Sequence, residues 1–206
     1  MPQNDRPQLY LITPPQIDLD SFCDLLAAVL DSAETACLRL ALSTKDPDDI
    51  ARVADTLRAL AHARDVALVV ENHVQLVERL GLDGVHLTDG ARSVRKVRKD
   101  LGPDAIIGAF CGTSRHDGMN AGEAGADYVA FGPAGETTLG SGDVADDALF
   151  GWWSEMIELP VVAEGALTPA RIASLAPITD FLAIGAEIWS APDPVAALKA
   201  LLEPLA

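Results

Sequence analysis

The sequence predicts an α/β protein closed into a single (β/α)8 TIM barrel, and three observations predict it. Short β-type apolar runs alternate with longer amphipathic stretches along the whole chain, at a spacing of about 20 to 30 residues that reads as successive βα units. Eight such runs fit within 206 residues, near the lower size limit of about 200 residues for a complete barrel. The segment after the first run reads LITPPQ, residues 11–16, where an open dinucleotide-binding sheet would carry a glycine-rich turn.

The expected strands cover residues 9–13, 36–42, 67–70, 84–87, 106–110, 128–131, 161–163 and 181–184. Between them lie stretches such as DPDDIARVADTLRALAHA and NHVQLVERLG, whose apolar residues recur at three and four, the spacing that lays one helix stripe against a sheet. Asp46-Pro47 and Thr168-Pro169 mark helix starts, and Gly81 and Gly125 mark helix ends. Strands separated by helical crossovers run parallel and are buried on both faces. Nothing in the sequence resembles a linker, so residues 1–206 are expected to form one domain.

Composition narrows the function classes. The chain carries 31 Asp and Glu against 15 Lys and Arg, a net charge of −16, and such a surface repels nucleic acid. The densest basic stretch, ARSVRKVRK (residues 91–99), reads as the solvated face of one helix. No apolar run is long enough to span a membrane, and the polar start lacks an export signal, so a cytoplasmic location and no membrane partner are expected. Cys23, Cys37 and Cys111 are far apart and odd in number, which fits reduced thiols. Trp152 and Trp153 in the sixth helix are open to core or interface use, and a homodimer is left open with them.

In this fold the chemistry belongs to the loops at the carboxyl ends of the strands. Gly165-Ala166 and Gly185-Ala186 follow the last two strands, where small residues would let backbone N–H groups approach a phosphate; tight strand-to-helix turns would use the same residues. Glu164 and Glu187 flank this cup, and either carboxylate would oppose a phosphate if turned inward. Glu71, Asn72 and His73, with Asp89 in the next loop, could supply oxygens to a magnesium ion. In the bland alternative Asn72 caps the following helix and His73 lies in its first turn. Arg39 sits among apolar neighbours in CLRLALS, so it needs either an anion at the barrel mouth or an acidic partner. His86 reads as a hydrogen-bonded core histidine, and Ser114 as the cap of a helix that starts with Arg115 and His116.

The segments LYLIT, GLDGVHL, GEAGADYVAFGP, PVVAEGALTP and IWSAPDP together resemble, in order and along nearly the whole chain, the thiamine phosphate synthases and their thiazole tautomerase relatives. The resemblance implies condensation of a pyrimidine methyl pyrophosphate with a thiazole phosphate, assisted by magnesium, and hence a phosphorylated small-molecule ligand. It also implies a diverged site. The family's Gln-x-Arg-Glu-Lys appears here as Cys37, Leu38, Arg39, Leu40 and Ala41, and its Asn-Asp-Arg as Glu71, Asn72 and His73. Its Gly-Gln-Glu-Asp becomes Thr88, Asp89, Gly90 and Ala91, while in Pro-Thr-x-Thr-Lys only Thr137 is kept. By this correspondence Arg39, Glu71 and His73 are the catalytic candidates, and Thr137, Gly165, Ala166, Gly185 and Ala186 the phosphate binders. Asn72 and Asp89 remain for magnesium, which the altered carboxylates would hold poorly. Loss of the metal carboxylate and two cations disfavours ordinary synthase turnover, since single electrostatic contacts are worth about 2.7 to 4 kcal/mol. A metal-independent tautomerase, or a non-catalytic ligand-binding relative, is the alternative.

Overall fold

The computed structural model describes residues 6–136 and 143–205. Eight parallel strands close a ring in sequence order, β1 (Gln8–Ile12), β2 (Thr35–Leu40), β3 (Ala67–Glu71), β4 (Gly84–Leu87), β5 (Ile106–Phe110), β6 (Tyr128–Phe131), β7 (Val161–Glu164) and β8 (Phe181–Ile184), with β8 pairing back onto β1. Around the ring lie α1 (Leu19–Leu30), α2 (Pro47–His62), α3 (Val74–Leu80), α4 (Val94–Leu101), α5 (Arg115–Ala124), α6 (Asp147–Met156), α7 (Pro169–Leu175), α8 (Ala186–Trp189) and α9 (Pro194–Leu201). This is the expected (β/α)8 barrel. No helix among the described residues is long and apolar enough to cross a membrane.

The cores divide by strand parity. Residues such as Leu9, Leu11, Leu38, Leu40, Leu68 and Val70 point outward into a large cluster shared with the helices. Their neighbours Tyr10, Cys37, Val69, Tyr128, Ala130, Val162 and Ala183 form a second cluster inside the ring, because successive strand side chains alternate faces. The interior is filled, and the loops at the strand ends are what remain open to a ligand.

The helices start and stop where the caps require. Asp46, Ser114, Asp146, Thr168 and Asp193 each accept a backbone N–H from the first turn of the following helix, satisfying donors that have no partner within the helix. Gly81 and Gly125 close α3 and α5 in the left-handed conformation. Within α4, Val94 and Val97 turn inward, while Arg98 binds the carbonyls of Gly102 and Ala105 and pairs with Asp127. Trp153 is buried and donates to the Leu159 carbonyl, whereas Trp152 is partly exposed with Arg115 over its ring.

A repeated device fixes the amino-terminal end of the barrel. Asp83, Asp127 and Asp180 immediately precede β4, β6 and β8, and each carboxylate accepts a backbone N–H from the strand before: Leu68 at 2.7 Å, Ile107 at 2.7 Å and Val161 at 2.8 Å.

The strand ends differ from expectation in ways that matter for the site. Strands β3 and β7 run one residue further, to Glu71 and Glu164, while β2 stops at Leu40. A charge ends an apolar run in the sequence, yet the ladder continues: Glu71 pairs with His86, and Glu164 with Ala183. Parity then aims both glutamates the same way as Val69 and Val162, into the ring.

Candidate active site at the barrel mouth

Arg39 lies inside the barrel, only 5% exposed. Its Nη1 donates to Glu164 Oε2 at 2.9 Å and its Nη2 to Glu164 Oε1 at 3.3 Å, a two-pronged ion pair joining β2 to β7. The anion and the structural bridge that the sequence offered as alternatives for this arginine coincide: it points into the barrel and already holds an acidic partner. Burial pulls the guanidinium toward neutrality, but the Glu164 charge outweighs that and holds it firmly cationic.

The same Nη1 stands 2.6 Å from Nε2 of His86, whose Nδ1 is 2.9 Å from the Tyr128 hydroxyl. A guanidinium can only donate, so Nε2 accepts and the Nδ1 proton goes to Tyr128. Burial and the neighbouring Arg39 charge together keep His86 neutral, well below the usual histidine range. The Tyr128 hydroxyl meets that of Tyr10 at 2.8 Å, and burial pushes both phenols up. His86 is thus the hydrogen-bonded core histidine the sequence suggests, the middle of a chain of polar groups down the barrel axis. Gly108 makes room for it: a Cβ there would lie 2.0 Å from Tyr128 Cζ.

Glu71 completes the mouth. It is half-buried, and burial together with the Glu164 charge raises its carboxyl above the usual range despite the opposing pull of Arg39. The Nδ1 of His73 lies 2.6 Å from the carbonyl of Glu71. Asn72 does not cap α3 as the bland reading supposed, because His73 holds that position and makes no side-chain cap. Asn72 instead adopts a left-handed φ of 59°, which suits an asparagine. Its amide is spent on the next loop: Nδ2 donates to Thr88 Oγ1 at 2.8 Å, and Oδ1 accepts the Thr88 backbone N–H at 3.0 Å.

Both magnesium candidates have an oxygen already engaged. Asn72 Oδ1 already holds Thr88, and Asp89 Oδ2 accepts the Ser93 hydroxyl at 2.6 Å. Among the described residues no group of three or more His, Cys, Asp and Glu side chains could hold a metal ion. Magnesium is bound through one or two carboxylates, and of the two candidates only Asp89 carries one, with Oδ2 taken by Ser93.

Above the barrel interior a cavity of about 400 Å³ is lined by Ile12, Glu164, Ala166, Gly185, Glu187 and Trp189, among others. The loop after β7 enters it with two left-handed residues, Gly165 at φ 86° and Ala166 at φ 54°. Trp189 closes one side by donating to the Ile12 carbonyl at 2.6 Å. The structure therefore brings Gly165, Ala166, Gly185 and Ala186 together around one cavity. Thr137 lies outside the described residues. The carboxylate of Glu187 sits in the cup itself, accepting the backbone N–H of Leu167 at 3.1 Å and of Gly185 at 2.8 Å. Spacing alone marks Glu187 as a flank of the cup; its partners, one of them in another loop, are set by the fold.

A closed ring of parallel strands with its polar groups gathered at the carboxyl ends places this chain among the (β/α)8 barrel proteins, in the layout such barrels use to engage small molecules. The family model for thiamine monophosphate synthase matches residues 9–190. The chain is 42% identical over 189 residues to the thiamine-phosphate synthase of Rhodospirillum centenum, covering 90% of each protein. It is 40% identical over 205 residues to that of Erythrobacter litoralis, covering 97% of this chain and 95% of the other. Thiamine phosphate pyrophosphorylase from Pyrococcus furiosus shares the fold with a TM-score of 0.81 at 24% identity, over 96% of this chain and 95% of its own. The chain belongs to the thiamine-phosphate synthase family.

Proposed function

We propose that this protein binds a phosphorylated thiazole-type molecule at the barrel mouth, in the family chemistry that joins such a phosphate to a pyrimidine methyl pyrophosphate, and that its pyrophosphate and magnesium half has diverged. The observation that carries this reading is Arg39. It is the one cation kept from the second-strand motif, and it faces the mouth through Glu164, which also lines the cavity between the last two loops. The small residues around that cavity, Gly165, Ala166, Gly185 and Ala186, suit a phosphate-bearing group. The engaged oxygens of Asn72 and Asp89 support the divergence. A cytoplasmic location fits this chemistry, and a homodimer is the assembly to test by sedimentation.

The reading is tested with purified protein, the two precursors, and magnesium present or withheld. Calorimetry is expected to detect thiazole phosphate binding, with thiamine phosphate formed far more slowly than by an intact synthase. Absence of any binding heat overturns the ligand assignment, and magnesium-dependent turnover at ordinary synthase rates overturns the divergence.

A second reading, a metal-independent isomerase of a thiazole-like phosphate, is favoured by Glu71. A half-buried carboxyl at the mouth, raised above its usual range by burial, is suited to holding and moving a proton. That reading expects turnover unaffected by chelator and lost in Glu71→Gln; activity retained in that variant removes it.

A further inference from the structure

Both anion-holding elements described at the mouth already hold an anion, and in each case it is the protein's own. Glu164 grips Arg39 with both oxygens. Glu187 uses one oxygen for the Leu167 N–H and the other for the Gly185 N–H. The second arrangement is more than a local turn. Gly185 is two residues from Glu187, but Leu167 is twenty residues away, in the loop after β7, so the carboxylate bridges the two loops that line the cavity. Two oxygens of one anion on backbone donors from these two loops is the pattern a bound phosphate would make.

We propose that Glu187 is a specificity-determining residue, an internal anion that competes with the ligand's phosphate for the Leu167 and Gly185 N–H groups. A phosphate that enters must displace this carboxylate and then tolerate its charge nearby. The uncharged part of the ligand makes no such exchange. Glu187 therefore weakens binding of a phosphate monoester relative to the corresponding alcohol and narrows the gap between the two forms. The inference rests on the reading that the mouth takes a phosphorylated ligand.

The test is calorimetry of inorganic phosphate, a hydroxyethylthiazole phosphate and the free hydroxyethylthiazole against the wild type, Glu187→Gln and Glu187→Ala. Both variants are expected to bind the thiazole phosphate about tenfold tighter or more, the scale of one or two charge-assisted hydrogen bonds. Affinity for the free alcohol should stay unchanged. The near-isosteric Gln variant, verified by its melting curve, guards against an Ala variant that folds poorly. Equal or weaker phosphate binding in the folded variants overturns the competitor role even if the wild type binds the thiazole phosphate. Wild type that binds no thiazole phosphate, with variants that bind inorganic phosphate, overturns the ligand reading and upholds the competitor. Failure of all three proteins to bind any phosphate overturns both.

Discussion

Glu164 reaches from the end of β7 to Arg39 on β2 and forms the one ion pair inside the barrel among the described residues, with side-chain exposures of 15% and 6%. Removing one member of such a pair leaves the other charge without compensation in a poorly hydrated interior, at about 3 to 5 kcal/mol. Glu164→Gln is expected near the lower end, since an amide oxygen can still accept one N–H from Arg39. Urea denaturation measures it. Replacing the whole pair, Arg39→Met with Glu164→Leu, should recover only part of the loss, because the buried ion pair is gone but His86 Nε2 is left without its donor. A Glu164→Gln variant within about 0.5 kcal/mol of wild type would show that water already screens the pair.

His86 gives stability a pH dependence with a definite sign. Its folded-state pKa is depressed below the ordinary 6.5, so below that pH the unfolded chain takes up a proton that the folded chain refuses. The stability it contributes is present above about pH 6.5 and is lost as pH falls from there toward the depressed value, with a slope approaching about 1.4 kcal/mol per pH unit. Glu71 works in the opposite sense: its raised carboxyl favours the fold below its ordinary range and loses that contribution as pH rises through the folded value. The comparison to make is therefore wild type against His86→Gln, whose amide can still accept from Arg39 and donate to Tyr128. The variant should lose the slope that the wild type shows as pH falls below about 6.5. An unchanged slope would place the titration on another group.

The barrel is legible in the sequence because local spacing encodes it. Short apolar runs, period-three-and-four helices and caps such as Asp46 and Thr168 are short-range signals, and each appears in the structure. The inward direction of Arg39 is also legible, since a cation cannot sit among apolar neighbours without a partner. Which partner is not legible. Glu164 is 125 residues away and comes into reach only when the ring closes. Glu71 and Glu164 lie one residue past the apolar runs of their strands, although the hydrogen-bond ladder runs through both residues. Asn72 could be narrowed to a polar role, but its bond to Thr88 needs the register of β3 against β4.

Gly108 is a test of how tightly the interior is filled. Its missing side chain is where the Tyr128 ring lies, and a Cβ would come within 2.0 Å of Cζ and 2.2 Å of the hydroxyl oxygen. Gly108→Ala must push the ring off His86 and Tyr10, which overpacks the core and breaks a polar chain at once. A loss of about 2 to 4 kcal/mol is expected, combining overpacking with a buried group left unpaired. A melting temperature equal to that of wild type would mean the ring has free space to move into.

Asp180 separates scaffold from site. It lies at the amino-terminal end of the barrel and accepts the Val161 N–H at 2.8 Å, far along the strands from the mouth. Asp180→Ala should cost about 1.5 to 3 kcal/mol, the range for a hydrogen bond to a charged group, and leave ligand affinity unchanged. Denaturation together with calorimetry on the same preparation checks both halves. A matching loss of affinity would show that the mouth depends on how the base of β7 is held.

Ala166 carries a left-handed φ of 54° that an L side chain reaches only at a cost of about 1 to 2 kcal/mol. Glycine in the same place would meet no such penalty. Glycine also loosens the unfolded chain, which offsets about 0.4 to 1 kcal/mol of the gain. The balance predicts that Ala166→Gly raises stability by about 0.5 to 1 kcal/mol. The strain persists because the loop is held on both sides: the neighbouring Gly165 carbonyl accepts the N–H groups of Ala134 and Gly135, and the Leu167 N–H is held by Glu187. Once Glu187 is removed, one of those holds is gone and the loop can relax around the alanine. The gain from Ala166→Gly should then shrink in the Glu187→Ala background, so the two effects are not additive. A double-mutant cycle by urea denaturation reads this directly, and strict additivity would show that the strain at Ala166 is maintained by something other than the carboxylate in the cup.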